Sequence, residues 1–122
     1  MSLKFLYLNE PDMIKAGVLD MKKCVQSMDD MFQVMGRGDY LMGSPSENHH
    51  EMMLWFPEEK RSENMPLAGP DRRFMAMPAY VGGRFHVCGN KWYGSNVENQ
   101  KKGLPRSILT VMLNDPDTGA PL

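Results

Sequence analysis

Two basic side chains stand where their chemistry could be used. Lys91 follows the apolar stretch around Phe85 and Val87 and precedes Trp92 and Tyr93. An ammonium at a strand end, facing a pocket, would bind a carboxylate as a compact point charge. The plainer alternative, and on chemistry alone the commoner one, is a surface lysine whose stem lies along apolar side chains while its charge stays in water. Arg106, between Pro105 and Ser107, could clamp an anion through two parallel N–H donors or lie in solvent. Glu47, Asn48, His49, His50 and Glu51 raise the question of a metal. Adjacent histidines point in different directions on most backbones, and the spacing fits no zinc motif, so a solvated loop is the better reading. No G-x-G-x-x-G, P-loop, G-x-S-x-G or H-E-x-x-H occurs, and Gly36-Arg37-Gly38 and Gly82-Gly83 are too short to cradle a phosphate. Serine, histidine and aspartate are present, but no spacing singles out a triad. The residues themselves assign no catalytic, cofactor-binding or metal-ligating role.

The chain that must position Lys91 and Arg106 has 122 residues, enough for one domain with a core and too few for two. Fourteen Lys and Arg against fifteen Asp and Glu give a net charge of −1, which argues against a nucleic-acid partner. The hydrophobic share of 42% excludes a disordered chain. Neither a membrane-length apolar run nor a secretory leader is legible. Cys24 and Cys88 form no framework and read as two free, buried thiols in a reducing cytosol. The 13 methionines read as core filler.

The patterning predicts the elements. Lys4 to Leu8 is apolar and aromatic, consistent with a first strand. Asn9 can cap a short helix whose first turn holds Glu10, Pro11 and Asp12, with Gly17 as its stop. Met21, Val25, Met28, Phe32 and Met35 recur at helical spacing, widened by Val18, Cys24 and Met31. This predicts an amphipathic helix of about four turns, started by Asp20, closed by Gly36 and Gly38, with the methionine stripe in the core. Met52 to Phe56 reads as a strand ended by Pro57, Glu58 to Asn64 as a solvated turn, and Met65 to Arg73 as irregular. Phe74 to Val81 reads as a strand held to an edge or end position by Pro78. Gly82-Gly83 marks a hairpin into Arg84–Tyr93. Asn96 to Arg106 reads as a loop or one helical turn, and Ser107 to Asn114 as a buried strand. Asp115-Pro116-Asp117-Thr118-Gly119 is turn chemistry, which predicts a returning strand and hence a longer parent chain.

Several of these stretches also fall in a familiar order. Leu6 to Asp12, Met77-Pro78-Ala79-Tyr80, Lys91-Trp92-Tyr93-Gly94-Ser95, Asn99, Gly103-Leu104-Pro105 and Asn114 to Gly119 resemble the N-terminal part of the ornithine cyclodeaminase/mu-crystallin family. Within it, Gly69–Tyr80 and Lys91–Ser107 look most like the members associated with tyramine oxidase. The resemblance implies an N-terminal α+β domain that binds a small amino or keto acid and builds a homodimer. A Rossmann domain for NAD(H) or NADP(H) follows it in the family, and hydride transfer passes through an imine. By that resemblance Lys91 takes the place of the lysine that reaches the substrate carboxylate. Arg106 falls close to the ligand, where many members carry threonine. The family's earlier arginine for the carboxylate has no counterpart at its usual distance, since Arg72 and Arg73 stand too near Lys91 in sequence. Its later arginine and catalytic aspartate have none before Leu122.

The expectation is therefore an α+β fold, with a long amphipathic helix and a short one on a mixed or antiparallel sheet, residues 1–122 forming one substrate-binding and dimerisation domain without the Rossmann part. Lys91 and Arg106 are its expected substrate-binding residues. NAD(P) is expected for the full-length protein and none for this stretch, which should show no turnover alone. The location expected is cytoplasmic, with no membrane or nucleic-acid partner. The alternative is a non-enzymatic small-molecule-binding or oligomerisation module on the same scaffold.

Overall fold

In the computed structural model the described residues are 3–46 and 52–122. The Glu47–Glu51 stretch, with His49 and His50, lies outside them. Among the described residues two helices and five strands follow one another: α1 (Glu10–Ala16), α2 (Met21–Gly36), β1 (Tyr40–Met42), β2 (Met52–Trp55), β3 (Arg73–Val81), β4 (Val87–Ser95), a 3₁₀ turn (Val97–Lys102) and β5 (Ser107–Asn114). The strands form one antiparallel sheet in the order β1-β3-β4-β5, with β2 also paired to β3. The fold is α+β, as expected.

Residues group into two compact units, one of Met1–Leu41, Tyr80–Cys88 and Leu113–Leu122, the other of Met42–Ala79 and Gly89–Met112. The first holds both helices. Asn9 caps α1 reciprocally: its side chain accepts from the Asp12 N–H (3.0 Å), and the Asp12 carboxylate accepts from the Asn9 N–H (3.1 Å). Gly17 ends the helix at φ 103°, a conformation that costs glycine least. Asp20 caps α2 through the Lys23 N–H.

The helix stripe departs from expectation. Val34 is buried, and Cys24, Ser27 and Met31 are half-buried, yet Met21, Val25, Met28 and Phe32 are 50–71% exposed. The packed face of α2 is thus one flank of the stripe, because among the described residues nothing covers the rest. Residues 3–9 carry no regular structure and stay exposed, since no strand pairs with them. Both cysteines are free but half-buried rather than fully buried.

The hairpin turn between β3 and β4 is built on a close approach. The Asp39 carboxylate accepts from the Gly83 N–H at 2.7 Å, and a Cβ on Gly82 would fall inside that carboxylate. Arg84 donates to Asp30 at 2.6 Å, which ties the turn to α2.

In the second unit, β2 and β3 pair antiparallel with Met52 opposite Ala76 and Trp55 opposite Arg73. Met75 and Ser95 are its buried residues. Pro78 is not at an edge or end: β3 has neighbours on both sides. Pro78 lies beyond the stretch that β2 pairs, which ends at Ala76, so its missing N–H costs that ladder no bond. β5 forms over the expected residues but is exposed. It is the last strand of the sheet, and Ile108, Leu109, Val111, Met112 and Leu113 are 48–54% exposed. The turn after it is held by Asp115 Oδ1, which accepts from the Asp117 and Thr118 N–H groups and the Thr118 hydroxyl. The chain then folds back, pairing Pro121 with Asn114.

Candidate functional site

Side chains two apart on a strand share a face of the sheet. On β4 these are Lys91, Tyr93 and Ser95, and the hairpin brings the end of β4 beside the start of β3. Lys91 Nζ lies 5.6 Å from the Tyr93 ring centroid. The Tyr93 hydroxyl accepts from Arg73 Nη2 at 3.2 Å. The Arg73 guanidinium lies 5.3 Å over the Trp55 ring, as their cross-strand pairing requires. Arg73 also pairs with Asp71. Asp71 is the hub of the cluster: it receives Arg106 Nε at 2.8 Å together with Arg106 Nη2, and the Ser95 hydroxyl. Ser107 donates to Ser95 at 3.3 Å.

The two residues the sequence singled out therefore belong to one contact chain, from Lys91 through Tyr93, Arg73 and Asp71 to Arg106. Arg73 and Arg106 share the Asp71 carboxylate, and Lys91 joins them through Tyr93, so the cluster of these residues keeps a positive surplus, the charge an acidic ligand needs. Sequence spacing set Arg73 aside as too near Lys91. The hairpin nevertheless brings Arg73 to the Tyr93 hydroxyl, and so into the same contact chain as Lys91. Asp71 and Tyr93 also went unread. Gly82-Gly83 was the available signal: folding the chain there and comparing the far ends of the arms would have found Arg73.

A second set of aromatic side chains lies on the other face of these strands. Phe74 and Trp92 alternate with Arg73 and Lys91 and stack on each other with centroids 5.5 Å apart and planes 20° apart. With Phe56, Arg72, Ile108 and Thr110 they line a cavity of about 670 Å³ that includes neither Lys91 nor Arg106. Gly94 makes room for it, since a Cβ there would come 2.7 Å from Phe74 Cε1.

In the other unit His86, the one histidine among the described residues, sits between the Tyr80 hydroxyl (3.2 Å) and Asp117 (3.5 Å). It is open to solvent, and no serine joins it. Among the described residues no three His, Cys, Asp or Glu gather around a possible metal position. A dinucleotide cradle needs a glycine-rich turn from a strand into a helix. No α-helix follows any described strand, so these residues do not fit one. No described helix is long and apolar enough to cross a membrane.

The chain is similar to known proteins. Across its whole length the chain is 27% identical to N-((2S)-2-amino-2-carboxyethyl)-L-glutamate dehydrogenase of Staphylococcus aureus, spanning 33% of that protein. Over 47 residues, 38% of the chain and 14% of the relative, it is 45% identical to alanine dehydrogenase of Archaeoglobus fulgidus. The chain thus spans about a third or less of the relatives it matches. The family model for ornithine cyclodeaminase/mu-crystallin covers residues 18–122, from the last turn before α2 through the whole sheet and the cationic cluster. On that match the chain belongs to the ornithine cyclodeaminase/mu-crystallin family.

Proposed function

We propose that residues 1–122 are the N-terminal substrate-binding domain of a cytoplasmic NAD(P)-dependent enzyme of this family, which acts on a small amino, keto or imino acid. The observation that carries this reading is the cationic cluster, in which Arg73 and Arg106 share the Asp71 carboxylate and Lys91 stands over the Tyr93 ring that Arg73 also contacts. Lys91 takes the ligand carboxylate as a point charge, Arg73 adds a planar fork, and Arg106 closes the site from the segment before β5. Two dehydrogenases among the relatives support the reaction class. NAD(P) supplies the hydride in such an enzyme. In this reading the part played by residues 1–122 is to bind and orient the acid. The finer likeness to members associated with tyramine oxidase rests on Gly69–Tyr80 and Lys91–Ser107 alone.

A homodimer is part of the same reading. The exposed stripe of α2 is the kind of apolar face a second copy would cover. Nucleic acid and membrane have no part in it.

The test is ligand binding by the chain without nucleotide. Pyruvate and L-alanine should bind saturably and raise the melting temperature, since a ligand selective for the native state stabilises it. Lys91→Ala should weaken that binding by about ten-fold or more, the loss of one charge-assisted contact, and leave the unliganded melting temperature unchanged. Binding that ignores Lys91→Ala, or no saturable binding at all, would overturn the assignment.

A further inference from the structure

Asp71 is placed as a ligand would be. Its carboxylate lies between two guanidinium groups that reach it from separate elements, Arg73 from the head of β3 and Arg106 from the segment before β5. Arg73 meets Oδ1, while Arg106 and the Ser95 hydroxyl meet Oδ2. Each oxygen thus meets one guanidinium, Arg106 placing both Nε and Nη2 on Oδ2, and such charge-assisted bonds are what arginines also offer a free carboxylate. The side chain is only 12% exposed.

The backbone carries a second sign. Asp71 has φ 53°, the left-handed region that favours glycine. Arg72 N donates to Gly69 O at 3.0 Å, closing a turn over Gly69-Pro70-Asp71-Arg72. Proline fixes the second position at negative φ, so the positive φ at the third makes this a type II turn. Glycine or asparagine is the usual residue there. Conformations of this kind persist in other residues where the surroundings over-determine them, and they gather at ligand clamps and switch regions. What Asp71 brings that glycine cannot is a carboxylate aimed at the arginines. The turn is tied down independently of it, by Val97 N to Pro70 O (3.2 Å) and Arg72 Nη1 to Leu67 O (2.9 Å).

The two arginines are unequally free. Arg73 is 21% exposed and also held by Trp55 and Tyr93. Arg106 is 54% exposed, and its side-chain bonds among the described residues run to Asp71 alone. Arg106 can therefore leave Asp71 without dismantling the sheet.

We propose that Asp71 is an intramolecular competitor for the ligand carboxylate: it occupies the Arg73–Arg106 pair in the empty site, yields it on binding, and so sets the affinity threshold for acids. The inference rests on the reading of Lys91, Arg73 and Arg106 as the carboxylate site. An acid that engages the arginines alone meets the full competition of Asp71, whereas one that also engages Lys91 has a contact Asp71 does not contest.

The experiment is a calorimetric titration of pyruvate into the chain, its Asp71→Asn and Asp71→Gly variants, and each of the three with Lys91→Ala added. Asparagine and glycine both suit the left-handed position, so either preserves the turn while removing the charge. Removing a charge-assisted competitor should tighten pyruvate binding about ten-fold or more in both variants. Binding that appears only in the variants supports the proposal as well, since the competitor then holds the site outright. If the parent chain binds pyruvate through Lys91 and both variants bind equally or more weakly, Asp71 only positions the arginines; the inference falls and the site assignment stands. If no protein binds in a Lys91-dependent manner, the assignment fails and takes the inference with it. If both variants lose the cooperative melting of the parent, Asp71 is a structural keystone and the proposal is overturned.

Discussion

Arg73→Ala separates the structural from the ligand-binding part of the cationic cluster. Arg73 makes four kinds of contact: the ion pair with Asp71, where the side chains are 21% and 12% exposed, the stack over Trp55, the bond to the Tyr93 hydroxyl and a weak bond from Nε to Met75 Sδ. A hydrogen-bonded pair with this little solvent contributes about 1.5–3 kcal/mol, and Asp71 keeps Arg106 and Ser95 when Arg73 is removed, which argues for the lower half of that range. The stack adds about 0.5–1 kcal/mol, and the neutral hydroxyl about 1 kcal/mol. The variant should therefore lose about 3 kcal/mol. Arg106 is 54% exposed and makes only the Asp71 contact among these, so Arg106→Ala should lose about 1 kcal/mol or less. Urea unfolding followed by the fluorescence of Trp55 and Trp92 reads the difference. With a slope of about 1–3 kcal/mol per molar urea, the Arg73→Ala midpoint should fall about 1–3 M and the Arg106→Ala midpoint much less. Arg73→Lys keeps the charge but loses the fork and the flat stacking face, so it should fall between them. Equal midpoints for the two alanine variants would refute the argument that Arg73 is a structural member of the site and Arg106 its movable one.

Two further outcomes concern the other unit. Gly82→Ala should lose about 1–3 kcal/mol by overpacking against the Asp39 carboxylate. In a double-mutant cycle, Asp39→Ala with Gly82→Ala should lose no more than Asp39→Ala alone, and additive losses would exclude the collision as the cause. Thermal melts from pH 5 to pH 2 should show stability falling with acid. The Arg84 and Gln26 side chains hold the Asp30 carboxyl below the usual aspartate range, and the Thr118 hydroxyl and N–H do the same for Asp115. Folded values lowered in this way give stability that is present above the unfolded value, near pH 4, and lost as pH falls through the lowered folded values. Arg84→Ala should shrink the acid loss, whereas a full-sized loss in that variant would remove Asp30 as a contributor.

What the sequence made legible was local. Asn9, Gly17 and Asp20 act within a turn of their own backbone, so the ends of α1 and the start of α2 could be read from residue type. The turn at Asp115–Gly119 was legible for the same reason, since one carboxylate oxygen collects all its donors within three residues. β1 was missed because three residues carry no period. β3 was read as peripheral because Pro78 was weighed as if one continuous strand had to pair it, when β2 pairs only part of it. The site was half legible. Lys91 and Arg106 stand out by type, but Asp71 and Arg73 matter through pairing across the hairpin and through a positive φ, neither of which spacing along the chain records.

Burial was where patterning misled, and the error is informative. Periodicity reports which face of an element is made to be covered, not whether the same chain covers it. In α2 the covered side runs through Cys24, Ser27, Met31 and Val34, and the more apolar line through Met21, Val25, Met28 and Phe32 stays in solvent. β5 goes further: consecutive apolar residues are exposed on both of its faces, a composition suited to a strand covered on both faces. The cationic cluster shows the opposite. Every contact it makes, from Trp55 to Ser107, lies within one unit, and its carboxylate and hydroxyls find partners there. Polar geometry of that kind must be closed locally, because an unpartnered charge away from water is costly, whereas an apolar face tolerates exposure until another surface meets it. The cationic cluster is therefore the part of this chain whose contacts its own residues close, and the apolar stripe and β5 are the parts that the described residues leave open.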